Sequence, residues 1–282
     1  MSIALIGAGG KMGNRITDNL MKTDQRMFYV EISEAGIKKI QEKGLSVTPE
    51  EEAIAEADVI ILAVPDVFIG RIAAYIVPTM KKGAMLVLLD PAAAYLNKLP
   101  ERPDVSYFIA HPCHPSMFNH EVTEEGQQDY FGGVAAKQAI VCSLMQGPKE
   151  DYCIGESIAK QMYAPVTNAH QMTVEQMAIL EPTMVETIGA ATAMLLREAM
   201  DEAVKKGVPE EATRDFMFGH INTIYAVVFG EANGQLSDAC IVAAEYGKKY
   251  LFKEDWKRLF EEESVREQID VMLHPERLRE VK

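Results

Sequence analysis

A glycine-rich turn within the first fifteen residues, MSIALIGAGGKMGNR, constrains the fold of this chain more than any other feature. The apolar residues 3–6 that precede it predict a strand buried on both faces. Ile16, Leu20 and Met21, which follow it, have the spacing of an amphipathic helix. A strand, a turn without Cβ atoms and a helix together let the backbone approach a diphosphate, which is then held by the N–H groups of the helix N-terminus.

The spacing of the glycines favours a dinucleotide as the ligand of this turn. Gly7, Gly10 and Gly13 form G-x-x-G-x-x-G, a variant of the dinucleotide fingerprint, and the plain form is absent because residue 12 is methionine. A glycine-rich turn with no ligand is the alternative. The cofactor contacts predicted in the turn are Gly7, Gly9, Gly10, Lys11, Met12 and Gly13.

An acidic residue follows the turn at the distance that a dinucleotide domain requires. The predicted second strand, residues 27–32, ends near Glu31, which lies 18 residues beyond Gly13. Such a carboxylate holds the ribose hydroxyls of the adenosine. Residues 32–34 include no arginine that would accept a 2′-phosphate, so NAD is favoured over NADP. The alternative is an ordinary exposed acid at a strand end.

The next part of the chain alternates between predicted strands and helices. Residues 45–48, 58–64, 85–89, 105–110, 137–145 and 165–169 have strand-like composition. This alternation predicts an α/β fold with a doubly wound parallel sheet of the Rossmann type. Because ligands bind at the carboxyl ends of such strands, the loop of Val64, Pro65 and Asp66 is predicted to line the nicotinamide side.

After residue 171 no strand-like run recurs, and the sequence predicts an all-helical C-terminal domain. Thr173 and Gln176 form a capping box that begins a long interdomain helix reaching about residue 206, with Pro182 expected to kink it. The predicted domains are therefore residues 1–171 and 172–282. The helices are apolar on too many faces to stand alone, so we expect a homodimer through this domain.

The second motif with chemical potential is the segment HPCHP, residues 111–115. His111 and His114 are held by prolines at the carboxyl end of a predicted strand. Imidazole acts as a base or acid near neutral pH, or binds a metal. Two histidines alone do not define a metal site. The alternative is that the prolines shape a turn in which the histidines only satisfy hydrogen bonds.

Composition limits the partners and the compartment. The chain has 282 residues, 48% of them hydrophobic and 25% charged, and its net charge of -14 disfavours nucleic acid and anionic membranes as partners. No window holds the ~18 uninterrupted apolar residues of a membrane span. The four scattered cysteines form no C-x-x-C pair, and the first strand begins at once, leaving no room for a signal peptide. We therefore expect a cytoplasmic protein.

Several motifs together resemble a known family. They are the GAGGKMG turn, the strand YVEI, the loop AVPD, the segment AHPCHPS, and TVEQM followed by EPTMVET. The chain resembles the D-apionate oxidoisomerase family, within the superfamily of 6-phosphogluconate dehydrogenases, β-hydroxyacid dehydrogenases and ketol-acid reductoisomerases. The resemblance covers essentially the whole chain.

The sequence departs from the superfamily at one informative place. β-Hydroxyacid dehydrogenases carry a catalytic lysine and an asparagine near the start of the long helix, but residues 173–196 contain neither. The carboxylates of Glu175, Glu181 and Glu186 stand there instead. This moves the predicted chemistry from a lysine to histidine and glutamate, around a cation as in ketol-acid reductoisomerases.

The resemblance implies a two-step reaction. NAD would take hydride from a secondary alcohol of a branched sugar acid, with His111 or His114 as base, and a carboxylate group would then migrate in the keto acid. His114 and Glu181 are the expected ligands of Mg²⁺, Mn²⁺ or Zn²⁺, and Glu181 is also a candidate catalytic residue. Glu186 is a reserve ligand, and His220 and Asn222 are further candidates to contact substrate.

Two alternatives differ from this interpretation. The first is a simple NAD-dependent hydroxyacid dehydrogenase without rearrangement or metal. The second is a non-catalytic NAD-binding sensor or scaffold, which would have no need of an acid–base pair beside the nicotinamide.

Overall fold

The computed structural model describes residues 1–280 and divides into two compact units. The sheet unit comprises Met1–Ala178 and the described residues from Ile269 on, and the helical unit comprises Ile179–Gln268. The predicted boundary near residue 171 and the predicted helical domain of residues 172–282 differ from this division. The division falls later because the long helix begins inside the sheet unit, where Met177 and Ala178 are buried.

The sheet unit contains seven strands in one sheet, in the order β2-β1-β3-β4-β5-β6-β7. The strands are β1 Ser2–Ile6, β2 Arg26–Val30, β3 Val59–Leu62, β4 Met85–Leu88, β5 Ser106–Pro112, β6 Gln138–Gln146 and β7 Val166–Gln171. The predicted Rossmann-type fold class is confirmed.

Two details of the predicted sheet are wrong. β6 pairs with β5 in the antiparallel direction, so β6 and β7 run against the five parallel strands. The predicted strand 45–48 contributes a single bridge between Val47 and Tyr29, because the segment is too short for a ladder. The loop of Val64, Pro65 and Asp66 therefore follows the third strand of the chain, since residues 45–48 form no strand of their own.

The helices surround and follow the sheet in chain order. They are α1 Lys11–Leu20, α2 Glu34–Glu42, α3 Glu50–Glu56, α4 Asp66–Ile76, α5 Ala92–Tyr95, α6 Glu124–Gln128, α7 Asp151–Met162, α8 Val174–Ala178, α9 Ala191–Lys205, α10 Glu210–Val228, α11 Asp238–Leu251 and α12 Glu262–Leu273. Short 3₁₀ turns occupy Val77–Thr79, Trp256–Phe260 and Pro275–Glu280.

The core of the sheet unit forms between the apolar strands and the helices that cover them. Every residue of β1 is buried, and Ile16 and Leu20 of α1 are fully buried with it. Burying each such side chain contributes roughly 1.5–3 kcal/mol. On the other strands, Phe108 meets α7 at Gly155, where an added Cβ would overlap the phenyl ring. These contacts fix the two helices against the sheet.

The long helix matches the predicted limits. Gln176 N–H donates to Thr173 Oγ1 (3.2 Å), and Thr173 N–H donates to Gln176 Oε1 (3.0 Å), which confirms the capping box. Pro182, which has no N–H to donate, lies in a π-helical segment, Ile179–Ala190, that joins α8 to α9. By length and composition alone, Val174–Lys205 could cross a membrane, and 11% of its most apolar window is buried in the chain.

A surface carboxylate beside the first strand ties the amino-terminal end of the sheet together. Asp58 Oδ2 accepts from the N–H of Ser2 (2.9 Å) and from its hydroxyl (2.8 Å), and Asp58 Oδ1 accepts from Lys81 Nζ (2.8 Å). Lys81 first, and Ser2 with it, lower the pKa of Asp58 from 3.8 to about 2. The stabilisation is therefore present above the unfolded pKa and is lost as the pH falls toward 2.

We expect Asp58→Asn to lower the free energy of unfolding by about 1 kcal/mol near pH 7, a small value because the group is half-exposed. The loss should shrink between about pH 5 and about pH 2.5, since protonation removes the same interaction from the parent protein. Urea titrations followed by circular dichroism measure it, with Asp24→Asn, an exposed acid, as the matched control. Parallel pH profiles for Asp58→Asn and the parent would contradict the assignment.

Candidate active site

The glycine turn between β1 and α1 is built by close approaches of backbone to backbone. Gly7 has φ +81°, and a Cβ there would overlap the carbonyl oxygen of Ala63. A Cβ at Gly13 would overlap the carbonyl oxygen of Gly7. Gly10 is the N-cap of α1 and offers no side chain to cap it. The first N–H groups of α1 therefore point out of the helix, as a diphosphate requires.

Glu31 lies directly after β2 and faces this turn. Its Oε2 accepts from Gly9 N–H (2.9 Å), and its Oε1 accepts from the N–H groups of Ile32 and Ser33, both at 2.9 Å. Burial raises the pKa of Glu31, but the hydrogen bonds from Ser33, Gly9 and Ile32 outweigh it and hold the pKa below its ordinary value. An ionised, oriented carboxylate thus stands beside the turn at the predicted place.

The loop after β3 lies next to the same turn. A Cβ on Gly7 would lie 3.2 Å from Val64 Cγ1, so the two loops are in contact range. Pro65 is the N-cap of α4, Asp66 is its first residue, and both are exposed. The role of Val64, Pro65 and Asp66 on the nicotinamide side stays a prediction.

The sheet register brings an aspartate and a histidine together at the carboxyl edge. β4 pairs with β5 in parallel, with Leu88 opposite Ile109. Asp90 lies two residues after Leu88, and His111 lies two residues after Ile109. The two side chains are therefore neighbours, with ligand atoms within 4.8 Å of each other. Asp90 is buried, and its Oδ1 accepts from Ala92 N–H (2.7 Å). Asp90 is not among the predicted site residues, although its place after a buried strand is a signal.

His111 is held as a neutral imidazole. Its Nδ1 lies 2.9 Å from the carbonyl oxygen of Pro112, and a carbonyl only accepts, so Nδ1 carries the proton and Nε2 has the lone pair. Burial, and then the nearby His114, lower the pKa of His111 to about 4. The backbone of β5 is fixed next to it, because the buried Tyr163 hydroxyl donates to Ala110 O (3.0 Å). A neutral, rigid imidazole is suited to metal binding or to proton acceptance.

His114 follows in a strained backbone conformation. Its φ is +60°, a region that costs a residue with a Cβ about 1–3 kcal/mol. Its Nδ1 donates to the carbonyl oxygen of Phe131 (2.9 Å), which leaves the Nε2 lone pair as a base, and its ring centroid lies 6.1 Å from that of His111. The structure therefore brings the two predicted histidines together at one edge.

The other predicted site residues belong to the helical unit. Glu181 and Glu186 lie in the π-helical segment Ile179–Ala190. His220 and Asn222 are exposed residues of α10. His220 Nδ1 lies 2.8 Å from Phe216 O, and its ring stacks on Phe216 with centroids 4.0 Å apart. Their roles stay predictions.

Known proteins match this chain over almost its whole length. Residues 2–91 match the family of coenzyme F420-dependent NADP oxidoreductases, and residues 119–273 match the C-terminal domain of decarboxylating phosphogluconate dehydrogenase. The D-apionate oxidoisomerase of Cupriavidus necator is 51% identical over 95% of this chain and 97% of its own length. That of Blautia hydrogenotrophica is 45% identical over 98% of this chain and 97% of its own length. The chain belongs to the D-apionate oxidoisomerase family.

Solved structures agree with this membership. A semialdehyde dehydrogenase NAD-binding protein from Cupriavidus necator, crystallised with calcium and NAD, superposes with a TM-score of 0.94 at 50% identity, covering 96% of this chain and 99% of that one. A ketol-acid reductoisomerase from an uncultured archaeon has a TM-score of 0.66 at 19% identity, covering 99% of this chain and 84% of that one, and shows the shared fold alone. Membership in the D-apionate oxidoisomerase family confirms the resemblance and makes the chain an enzyme of the oxidoreductase class, which removes the sensor alternative.

Proposed function

We propose that this chain oxidises the CH–OH group of a branched sugar acid with NAD and isomerises the product, with D-apionate as substrate. The observation that carries the proposal is the pairing of Asp90 with His111 at the strand edge that also holds the glycine turn. The names of the relatives, D-apionate oxidoisomerases at 44–51% identity, support the substrate.

In this proposal His114 is the base. Its Nε2 lone pair accepts the hydroxyl proton while the C–H hydride passes to the nicotinamide, so the alcohol becomes a ketone and NAD becomes NADH. The Phe131 carbonyl holds the proton on Nδ1 and stabilises the imidazolium that forms. His111, neutral and half-buried, supports the site as a ligand and not as the base.

His114→Ala should lower NAD reduction with D-apionate at least about 100-fold, since the positioned base is lost. NADH binding, followed by its fluorescence, should change less than about threefold, because the glycine turn is untouched. His120→Ala, at an exposed histidine six residues on, is the matched control. A His114→Ala enzyme with near-parent turnover would refute the role of His114.

We propose NAD as the cofactor, on the support of the Glu31 carboxylate and of the NAD held by the related crystal structure. The Gly7–Gly13 backbone would hold the diphosphate, and Glu31 the ribose hydroxyls. A 2′-phosphate would meet an ionised carboxylate, which repels it.

Glu31→Ser should weaken NADH binding about tenfold, because it removes the carboxylate that accepts from the ribose hydroxyls. It should also reduce the preference for NADH over NADPH, because the charge that repels the 2′-phosphate is lost. Fluorescence titrations with the two reduced cofactors measure this. Glu34→Gln changes an exposed acid at the start of α2 and should bind both cofactors as the parent does. An unchanged preference in Glu31→Ser would contradict the assignment.

We propose a divalent cation held by Asp90 and His111. The ligand roles of Glu181 and, in reserve, Glu186 stay predictions. A buried carboxylate beside an imidazole within 4.8 Å fits Mg²⁺, Mn²⁺ or Zn²⁺, and calcium is present in the related crystal structure. The sequence predicted His114 as the histidine ligand. We propose His111 instead, because Asp90 lies beside His111. When bound, the ion would polarise the ketone for carboxylate migration.

Asp90→Asn should weaken Mn²⁺ binding at least about tenfold, measured by calorimetry, because a neutral amide is a poor ligand for a hard cation. The same variant, and the parent after chelation, should yield no rearranged acid. Mass-resolved product analysis separates the outcomes. An unrearranged keto acid formed at full rate by the chelated parent would favour the simple hydroxyacid dehydrogenase instead.

We propose that the helical unit forms a homodimer in the cytoplasm. The buried apolar side chains of the helical unit, which the structure describes throughout, are few, and none of the α11 residues is buried. Large apolar side chains are exposed there instead, including Phe216, Val242, Tyr246, Tyr250 and Trp256. A second copy is favoured over an anionic bilayer or nucleic acid because the chain is strongly acidic, and four unpaired cysteines suit a reducing compartment.

Light scattering after size-exclusion chromatography should give twice the chain mass. Val242→Arg on α11 should shift the protein toward monomer, because a charge would be buried in the apolar contact. Tyr75→Arg, at a similarly exposed position of the sheet unit, should remain dimeric. A monomeric parent at micromolar concentration would refute the proposal.

A further inference from the structure

One face of α1, the helix that follows the glycine turn, carries three polar side chains that contact the same short turn. Lys11, Arg15 and Asn19 are spaced by four residues and so lie in one row along the helix. Arg15 donates to Asp129 Oδ1 (3.1 Å), and Asn19 Nδ2 donates to Gly133 O (3.0 Å). We name residues 129–133 the latch turn.

The conformation of the latch turn is held by hydrogen bonds from the residues that follow it and from Arg15. Asp129 Oδ2 accepts from the N–H groups of Val134 (3.0 Å), Ala135 (2.9 Å) and Ala136 (3.2 Å). Burial raises the pKa of Asp129, but these bonds and Arg15 outweigh it and keep the carboxyl ionised. Gly132 has φ +70°, and it accepts a further hydrogen bond from Arg15.

Phe131, within the latch turn, contacts both ends of the candidate site. The Lys11 ammonium lies 4.0 Å from its ring centroid, and the Arg15 guanidinium carbon lies 5.3 Å from it. Its carbonyl oxygen accepts from His114 Nδ1 at 2.9 Å, and the two rings meet edge to face with centroids 6.2 Å apart. Lys11 is the first residue of α1, beside the glycine turn.

We propose that Phe131 is a positioning residue that aligns His114 with α1 through the latch turn. The inference rests on the proposed function, in which His114 is the base. The α1 row fixes the latch turn, and the latch turn then fixes the tautomer and ring direction of His114. Displacing a proton acceptor by about 1 Å can lower the reaction rate by up to about 100-fold. Breaking this series of contacts should therefore lower kcat measurably.

Three variants test the proposal. Phe131→Leu removes the ring but keeps the backbone carbonyl, Phe131→Tyr restores an aromatic face, and Tyr130→Leu alters the exposed neighbouring aromatic. The first measurement is kcat and the KM for NAD with D-apionate. The second is the tautomer of His114 by ¹⁵N nuclear magnetic resonance of histidine-labelled protein, with and without NADH. The six histidines are few enough for the signal to be assigned by its loss in His114→Gln.

Phe131→Leu should lower kcat about tenfold or more, change the KM for NAD less than about threefold, and reduce the Nδ1–H tautomer signal of His114. Phe131→Tyr should restore all three, and Tyr130→Leu should leave them unchanged. Retention of both kcat and the tautomer in Phe131→Leu would overturn the proposal, as would a rise in the KM for NAD as large as the loss of kcat.

Asp129→Asn serves if Phe131→Leu does not fold, because it loosens the latch turn while leaving the ring in place. It should weaken the same tautomer signal, and an unchanged signal would overturn the proposal. A parent protein that oxidises no sugar acid would refute the proposed function alone. The tautomer measurement would still decide whether the latch turn positions His114.

Discussion

The approach of the Gly13 backbone to the Gly7 carbonyl is the constraint on which the rest of the structure depends. It brings the start of α1 against the end of β1 with no room for a Cβ between them. The helix N-terminus is thereby aimed over the carboxyl edge of the parallel strands. The candidate site residues of the sheet unit lie along that edge.

Two neighbouring strand ends bring candidate site residues together. β4 and β5 run parallel, so Asp90 and His111 lie at equal depth beyond their last shared pair, Leu88 and Ile109. Burial keeps the imidazole of His111 neutral, and the backbone carbonyls of Pro112 and Phe131 choose the tautomers of the two histidines. Neither a local motif nor a single loop would produce this arrangement, which is a consequence of strand register.

The elements that the sequence predicted well are those with local signals. Glycine spacing, the distance from Gly13 to Glu31, and the capping box of Thr173 all act over short stretches, and each is found as predicted. Asp90 was missed because its partner, His111, lies on another strand, and proximity across a sheet depends on a register that no periodicity encodes. The direction of β6 was not predicted, because the side-chain pattern of a strand is the same whichever way the strand runs in the sheet. The partner of His114 is Phe131, 17 residues away and outside any motif.

The reversal of β6 has a consequence for how this site can change during evolution. In an all-parallel sheet, a segment that enters a strand lies at the edge away from the ligand. Here Pro112 pairs with Ile140, so the amino-terminal end of β6 lies beside the carboxyl end of β5. The connection between the two strands, which is long and mostly exposed, therefore begins and ends on the ligand side. Insertions and substitutions in it can diversify specificity while the hydrogen-bonded ladder beneath stays intact.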